Sequence, residues 1–134
     1  MNTHKRKFLV VWSVTVGSMD ALTGLLLVVA PVAVLRCLGI APPSADALVF
    51  LSWIGVFVGG VGLSYAMALG ERHRGKAVWM ITALVRTLVA AFVTWRIDTG
   101  SLAPAWLMVA LTDAAVAVVQ MAVVRAGWWE EARR

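Results

Sequence analysis

The sequence is poor in cysteine and histidine, and this scarcity removes several classes of site. Its single cysteine, Cys37, cannot form a disulfide within the chain, and no CxxC motif offers a redox or metal site. The two histidines, His4 and His73, lie in basic segments outside the apolar stretches. Bis-histidine haem ligation inside a membrane is therefore excluded, and we expect no metal and no cofactor.

Charged residues are also scarce. They make up 14% of the 134 residues, hydrophobic residues make up 61%, and the mean hydropathy is +0.86. Soluble domains carry roughly 25% charged and 45–50% apolar residues. A chain of this composition cannot cover its own surface with polar groups, so we expect it to contact the lipid bilayer as a single domain over residues 1–134.

Four apolar segments run along the chain, at about residues 8–30, 47–69, 77–97 and 104–124. Each has about the 20 residues that a helix needs to cross a hydrocarbon core of roughly 30 Å. Short connections make neighbouring helices antiparallel. The pattern predicts an all-α, membrane-spanning antiparallel four-helix bundle. Pro31 is expected to kink the first helix, with a short turn over 32–38 that Gly39 closes.

The basic residues of this positively charged chain lie between the apolar segments, not on one amphipathic face, which argues against nucleic-acid binding. They concentrate at the amino terminus, in an ERHRGK loop at residues 71–76, and at the carboxyl terminus. Basic segments stay in the cytoplasm, so both termini are predicted to be cytoplasmic. The seven tryptophans all fall near predicted helix ends, as expected for indole rings at the two headgroup levels.

Small residues recur at helical spacing along the second segment; the central ones are Gly55, Gly59, Gly62 and Ala66. Such a stripe lets helix backbones approach closely in lipid, which predicts packing against the first or third helix. The alternative is a ligand groove opened by the missing side chains.

Three charges lie inside the apolar segments: Asp20, Arg86 and Asp113. The helical rise places all three at a similar depth near the midplane, and neighbouring small residues place them toward the bundle interior. Arg86 can offer donors to both carboxylates. Two hypotheses stay open: a structural clamp that fixes which helices face each other, or a proton- or substrate-binding site.

The stretch that ends the first segment (Ala30, Pro31, Leu35, Leu38 and Gly39) and the glycine-rich second helix resemble the DoxX-like group of small bacterial membrane proteins. The resemblance implies a multi-pass protein of the bacterial inner (plasma) membrane. DoxX itself is a subunit of a quinol-oxidising respiratory assembly. No family catalytic residue is available to carry over to this sequence.

Enzymatic motifs are missing: there is no HExxH, P-loop or Rossmann fingerprint, and the serines have no histidine at membrane depth to act as a base. We therefore predict a non-enzymatic accessory or scaffolding subunit of a membrane assembly, which contacts other membrane subunits or further copies of itself. The alternative is a small proton-coupled transporter or channel that uses Asp20, Arg86 and Asp113. An enzyme would need a cofactor supplied by a partner.

Overall fold

A computed structural model describes residues 3–70 and 72–131, apart from the side chains of residues 72, 73 and 131. This part of the chain is helical and contains no strand. The helices are α1 (Thr3–Val29), α2 (Pro31–Cys37), α3 (Ala45–Gly70), α4 (Arg72–Asp98), α5 (Leu107–Arg125) and α6 (Trp128–Glu131), with a 3-10 turn at Pro104–Trp106 before α5. Four of them, α1, α3, α4 and α5, are long and apolar enough to cross a membrane. The predicted all-α four-helix membrane bundle is confirmed.

The four long helices form two antiparallel pairs, α1 with α3 and α4 with α5, and α3 also contacts α4. Contacts between remote residues define one end of the bundle. The rings of Phe8 and Trp128 lie 5.4 Å apart, and Lys76 forms an ion pair with Glu130. We term this the basic end. The opposite end, which holds α2 and residues 99–106, is termed the loop end.

The helices extend beyond the predicted apolar segments at the basic end. The prediction of a loop at residues 71–76 is wrong, because α4 already begins at Arg72. Arginine and lysine are good helix formers, and hydropathy detects only the apolar part of a helix. A side chain at Gly75 would overlap the ring of Trp129, so this first turn of α4 is also packed against α6. Residue 71 and the basic tail residues Arg133 and Arg134 lie outside the described residues.

Proline and glycine set the geometry of the turn at the loop end. Pro31 occupies the first position of α2, where its missing N–H costs no hydrogen bond. Gly39 has a φ of +70°, and the amide of Ile40 donates to the carbonyl of Leu35 at 2.8 Å, which closes the helix with a Schellman motif. Leu35 is buried and fixes α2 against the bundle. The kink and the short turn agree with the prediction.

The glycine stripe of α3 faces α1. A Cβ atom at Gly55 would lie 2.8 Å from the carbonyl oxygen of Gly24, and one at Gly62 would lie 2.6 Å from that of Gly17. Gly59 is less tight, since its Cβ would meet only the Cα of Gly24 at 3.9 Å. The backbone of α1 thus occupies the space that the missing side chains leave. The stripe is a helix-packing surface and not an open ligand groove.

Ala66 does not belong to this contact face, although the sequence pattern placed it there. It is exposed, whereas Tyr65 and Ala68 are buried. A row of residues four apart drifts around a helix that has 3.6 residues per turn. After Gly62 along the chain, the buried face of α3 therefore includes Tyr65 and not Ala66.

Candidate functional site

Arg86 lies between the two intramembrane carboxylates and binds both. Its Nη2 donates to Oδ2 of Asp20 on α1, and its Nη1 donates to Oδ1 of Asp113 on α5. The three side chains are 6%, 8% and 16% exposed for Arg86, Asp20 and Asp113 respectively. One guanidinium on α4 therefore joins three of the four spanning helices. We term these three residues the charge cluster.

Small residues keep the charge cluster inside the bundle. Ala83 and Ala90 lie one turn before and after Arg86, Ala110 and Ala117 flank Asp113 in the same way, and all four alanines are buried. Gly62 of α3 closes the remaining side, because a Cβ there would lie 2.9 Å from Cβ of Asp20. Helix α3, which contributes no charge to the cluster, thus contacts it through its backbone.

Pairing decides whether such charges are tolerable. A single charged side chain at the centre of a membrane helix costs about 2.5–3.5 kcal/mol on insertion scales. Mutual hydrogen bonds and opposite charge offset this cost. With both carboxylates ionised, the cluster keeps one negative charge in excess.

A second polar layer lies nearer the basic end, one to two helical turns from the charge cluster. Gln120 of α5 donates its amide to the hydroxyl of Tyr65 at 2.7 Å, and that hydroxyl donates to Oγ1 of Thr82 at 3.1 Å. Thr82 in turn donates to the carbonyl oxygen of Val78 at 2.8 Å. Tyr65, Thr82 and Gln120 are all buried, and Thr82 lies one turn before Arg86 on the same face of α4. The two layers therefore form one continuous polar interior.

Two atoms of this interior have no hydrogen-bond partner among the described residues: Nε of Arg86 and Oε1 of Gln120. An unmade hydrogen bond of a buried group costs about 1–3 kcal/mol. The polar interior is therefore not completely satisfied by the protein itself.

Aromatic residues close the bundle at the basic end. Trp79 is fully buried, donates its indole N–H to Oγ of Ser13 at 3.0 Å, and packs edge-on against Trp129 at 5.5 Å. The ring centroid of Trp12 lies 6.4 Å from that of Trp79 and 5.5 Å from that of Phe8, on which Trp12 stacks. We term Phe8, Trp12, Trp79, Trp128 and Trp129 the aromatic cap.

The aromatic cap corrects one expectation from the sequence. Trp79 and Trp129 were expected to anchor in the headgroup layer, yet they are 0% and 6% exposed and pack within the protein. Trp53 and Trp95, near the loop end, are more than half exposed. Two of the indoles therefore pack in the core instead of lying in the headgroup layer.

Helical spacing in the sequence indicates that two of these residues face the interior, although the nearness of Trp79 to a predicted helix end suggests a place in the headgroup layer. Trp79 and Thr82 precede Arg86 by seven and four residues, which places all three on one face of α4. The role of Tyr65 had no such signal, because its partners come from two other helices.

The chemistry open to this interior is limited. Ser13 accepts the hydrogen bond of an indole, and no described group of three histidine, cysteine or acidic residues could hold a metal ion. The residues provide paired charges, hydroxyls and one amide, which can orient helices or bind a proton. Comparison with protein-family models, curated proteins and solved structures finds no match for this chain.

Proposed function

We propose that the chain is a non-enzymatic multi-pass protein of the bacterial inner membrane, with both termini in the cytoplasm, and that it serves as an accessory or scaffolding subunit of a membrane assembly. The observation that carries this proposal is the use of the buried charges. Arg86 donates hydrogen bonds to both Asp20 and Asp113, so both terminal nitrogens of its guanidinium join helices inside the bundle.

The aromatic cap supports the same proposal. A transporter needs water to reach its charges from each side in turn, and the route from the basic end is filled by buried indole rings, Trp79 and Trp129. The hydrogen bond from Trp79 to Ser13 ties α4 to α1 at this level. A bundle that is closed at the basic end suits a scaffold.

A scaffold also needs an outer surface that a partner can contact. Helix α3 presents three exposed aromatic side chains in a row, Phe50, Trp53 and Phe57, with ring centroids 6.3 Å and 6.2 Å apart. Aromatic residues are enriched in protein interfaces because they bury much area at low entropic cost. We assign the partner surface to this face of α3.

We further propose that the chain is a distant member of the DoxX-like group. The stretch that carries the resemblance forms α2 and its glycine cap, and the glycine-rich helix packs on the first helix. On this proposal the partners are subunits of a respiratory or related membrane assembly.

The test is purification of the tagged chain from its native membrane in a mild detergent, followed by identification of the chains that co-purify. We expect a defined partner at a constant ratio. Phe57→Ala should release it, whereas Phe92→Ala should retain it; Phe92 is a phenylalanine on α4 that is also more than half exposed. A chain that purifies alone, or loses its partner equally in both variants, would contradict the proposed surface.

A second candidate is a small proton-coupled transporter or channel. Two observations favour it: the excess negative charge of the cluster and the partial exposure of Asp113, whose side chain is twice as exposed as that of Asp20. Its test is proton flux in liposomes.

A further inference from the structure

The four spanning helices do not pack equally closely on all sides of the charge cluster. Close packing joins α1 to α3, α3 to α4, and α4 to α5, whereas α1 and α5 do not form such a pair in the described part of the chain. At the basic end the aromatic cap closes the gap between them, because Phe8 of α1 packs edge-on against Trp128, which follows α5. The remaining question is whether the gap is also closed at the depth of the charge cluster.

Two threonines show that the gap opens toward the loop end. On α1, Thr23 lies eleven residues, or about three helical turns, after Trp12 and therefore on the same face. On α5, Thr112 lies eleven residues before Val123 and shares its face in the same way. Trp12 and Val123 pack in the core, yet both threonines are exposed. We term the side of the bundle between Thr23 and Thr112 the open side.

The open side borders the charge cluster. Thr23 lies one turn from Asp20, and Thr112 directly precedes Asp113. Arg86 uses only one oxygen of each carboxylate, and the second, Oδ1 of Asp20 or Oδ2 of Asp113, accepts no hydrogen bond from the described residues. Unlike the two fully buried atoms that lack a partner, these oxygens retain accessible surface. Unused carboxylate oxygens thus lie beside the open side near the midplane.

Charge decides which occupant fits the open side. The cluster keeps one negative charge in excess, and charged groups at this depth pair with one another because lipid chains offer them no partner. A second copy of the chain has no free base to offer. On its spanning helices, every lysine and arginine other than Arg86 lies ten or more residues from the cluster residue of the same helix, which is about 15 Å or more along the axis. The Arg86 of that copy is bound to its own carboxylates. The matching base therefore belongs to a different protein.

We propose that a transmembrane helix of a different protein docks on the open side and places a lysine or arginine against Asp20 and Asp113. Two bases then balance two carboxylates. The small side chains of Thr23 and Thr112 let the docking helix approach closely, as small residues do at helix contacts in lipid. This inference rests on the proposed scaffolding role, since it gives the chemistry of a partner subunit. It is separate from the aromatic row on α3.

The test uses a synthetic transmembrane peptide in place of the native partner. The full chain carries a fluorescence donor on Cys37, which is exposed at the loop end, and is reconstituted in liposomes. It is titrated with an acceptor-labelled leucine-alanine helix of about 20 residues that has one lysine at its midpoint. We expect energy transfer to report binding about three- to fifteenfold tighter than that of a peptide with leucine at the midpoint, the range of polar contacts between membrane helices. Moving the lysine two turns from the midpoint should remove the preference.

Variants of the chain locate the binding. Asp113→Asn should abolish the preference for lysine, because the guanidinium and the remaining carboxylate then balance each other. Asp98→Asn, at the last residue of α4, should retain it. Thr23→Trp fills the open side and should prevent binding of the lysine peptide. Leu22→Trp, at a neighbouring position that is 58% exposed, should not. The threonine variant leaves all three charges in place, so it also tests the site if Asp113→Asn does not fold.

Several results would overturn the proposal: equal binding of the three peptides, an undiminished preference in Asp113→Asn, or unchanged binding in Thr23→Trp. A dimer of the parent chain that Thr23→Trp converts to monomer would assign the open side to a second copy and would also overturn it. The peptide assay needs no native partner. A negative result therefore concerns the open side alone, whereas a chain that purifies alone from its native membrane contradicts the scaffolding role itself.

Discussion

Removing Arg86 is the sharpest perturbation that the charge cluster offers. Arg86→Leu takes away the guanidinium that donates to both Asp20 and Asp113, and it leaves two carboxylates facing each other in an interior where each is less than one-fifth exposed. Breaking a buried ion pair by deleting one partner costs about 3–5 kcal/mol. Because two carboxylates lose their partner here, we expect a loss at the upper end of that range.

The matched control removes all three charges together. The triple variant Asp20→Val, Arg86→Met, Asp113→Val leaves no charge of the cluster unpaired and fills a similar volume with apolar atoms. Replacing a buried ion cluster in this way is often neutral, or stabilises by about 1–4 kcal/mol. We therefore expect the triple variant to be at least as stable as the parent, although it contains the Arg86 substitution.

The assay is reversible unfolding in mixed detergent micelles, followed by circular dichroism as the denaturing detergent fraction rises. The unfolding midpoint of Arg86→Leu should lie far below that of the parent protein. The midpoint of the triple variant should lie near or above that of the parent protein. A triple variant as unstable as Arg86→Leu would refute the reasoning, because the loss would then come from side-chain volume and not from unpaired charge.

Three further predictions follow from the packing and topology. Gly24→Ala places a Cβ 2.5 Å from a backbone oxygen of α3 and should lower the free energy of unfolding by about 1–3 kcal/mol in the same assay. The Cβ of Gly60→Ala meets nothing within 4 Å, so this control should raise the free energy of unfolding by up to about 1 kcal/mol. Equal effects of the two substitutions would contradict the close helix contact. Tyr65→Phe removes the hydroxyl that joins two polar side chains and should cost about 1–3 kcal/mol, and an unchanged midpoint would deny that the bonds are formed. In a background without the native cysteine, Arg74→Cys should react only with a membrane-permeant thiol reagent and Thr99→Cys also with an impermeant one added outside; the reverse pattern would invert the orientation.

Much of the fold is readable from the sequence because the membrane restricts it. Apolar segments of spanning length, separated by short connections, leave few arrangements other than an antiparallel bundle. Depth and helical periodicity were also sufficient to place Asp20, Arg86 and Asp113 at one level of the interior. Each signal is local to one helix, and the three coincide.

The contacts between helices were less accessible. Ala66 continues the small-residue pattern but turns outward as the helix rotates, and Tyr65 takes its place in the core. The role of Tyr65 depends on Thr82 and Gln120, which belong to different helices, and no spacing along one helix reports such a meeting.

The basic end shows the limit of hydropathy as a guide. Charged residues marked residues 71–76 as a loop, yet a helix whose end is solvated can continue through arginine and lysine. The aromatic cap has the same origin: a tryptophan near a helix end suits the headgroup layer or the core equally, and only tertiary packing distinguishes Trp79 from Trp95.

Proton flux through the purified protein tests the central claim most directly, that the charge cluster holds the bundle together and does not conduct. The parent protein is reconstituted in liposomes with a pH gradient and an internal pH-sensitive dye, beside empty liposomes and beside Asp113→Asn. A scaffold predicts that all three preparations lose the gradient at the same rate. A faster, gradient-dependent flux in the parent that Asp113→Asn abolishes, while its unfolding midpoint shows that it remains folded, would contradict the account and assign the cluster to transport.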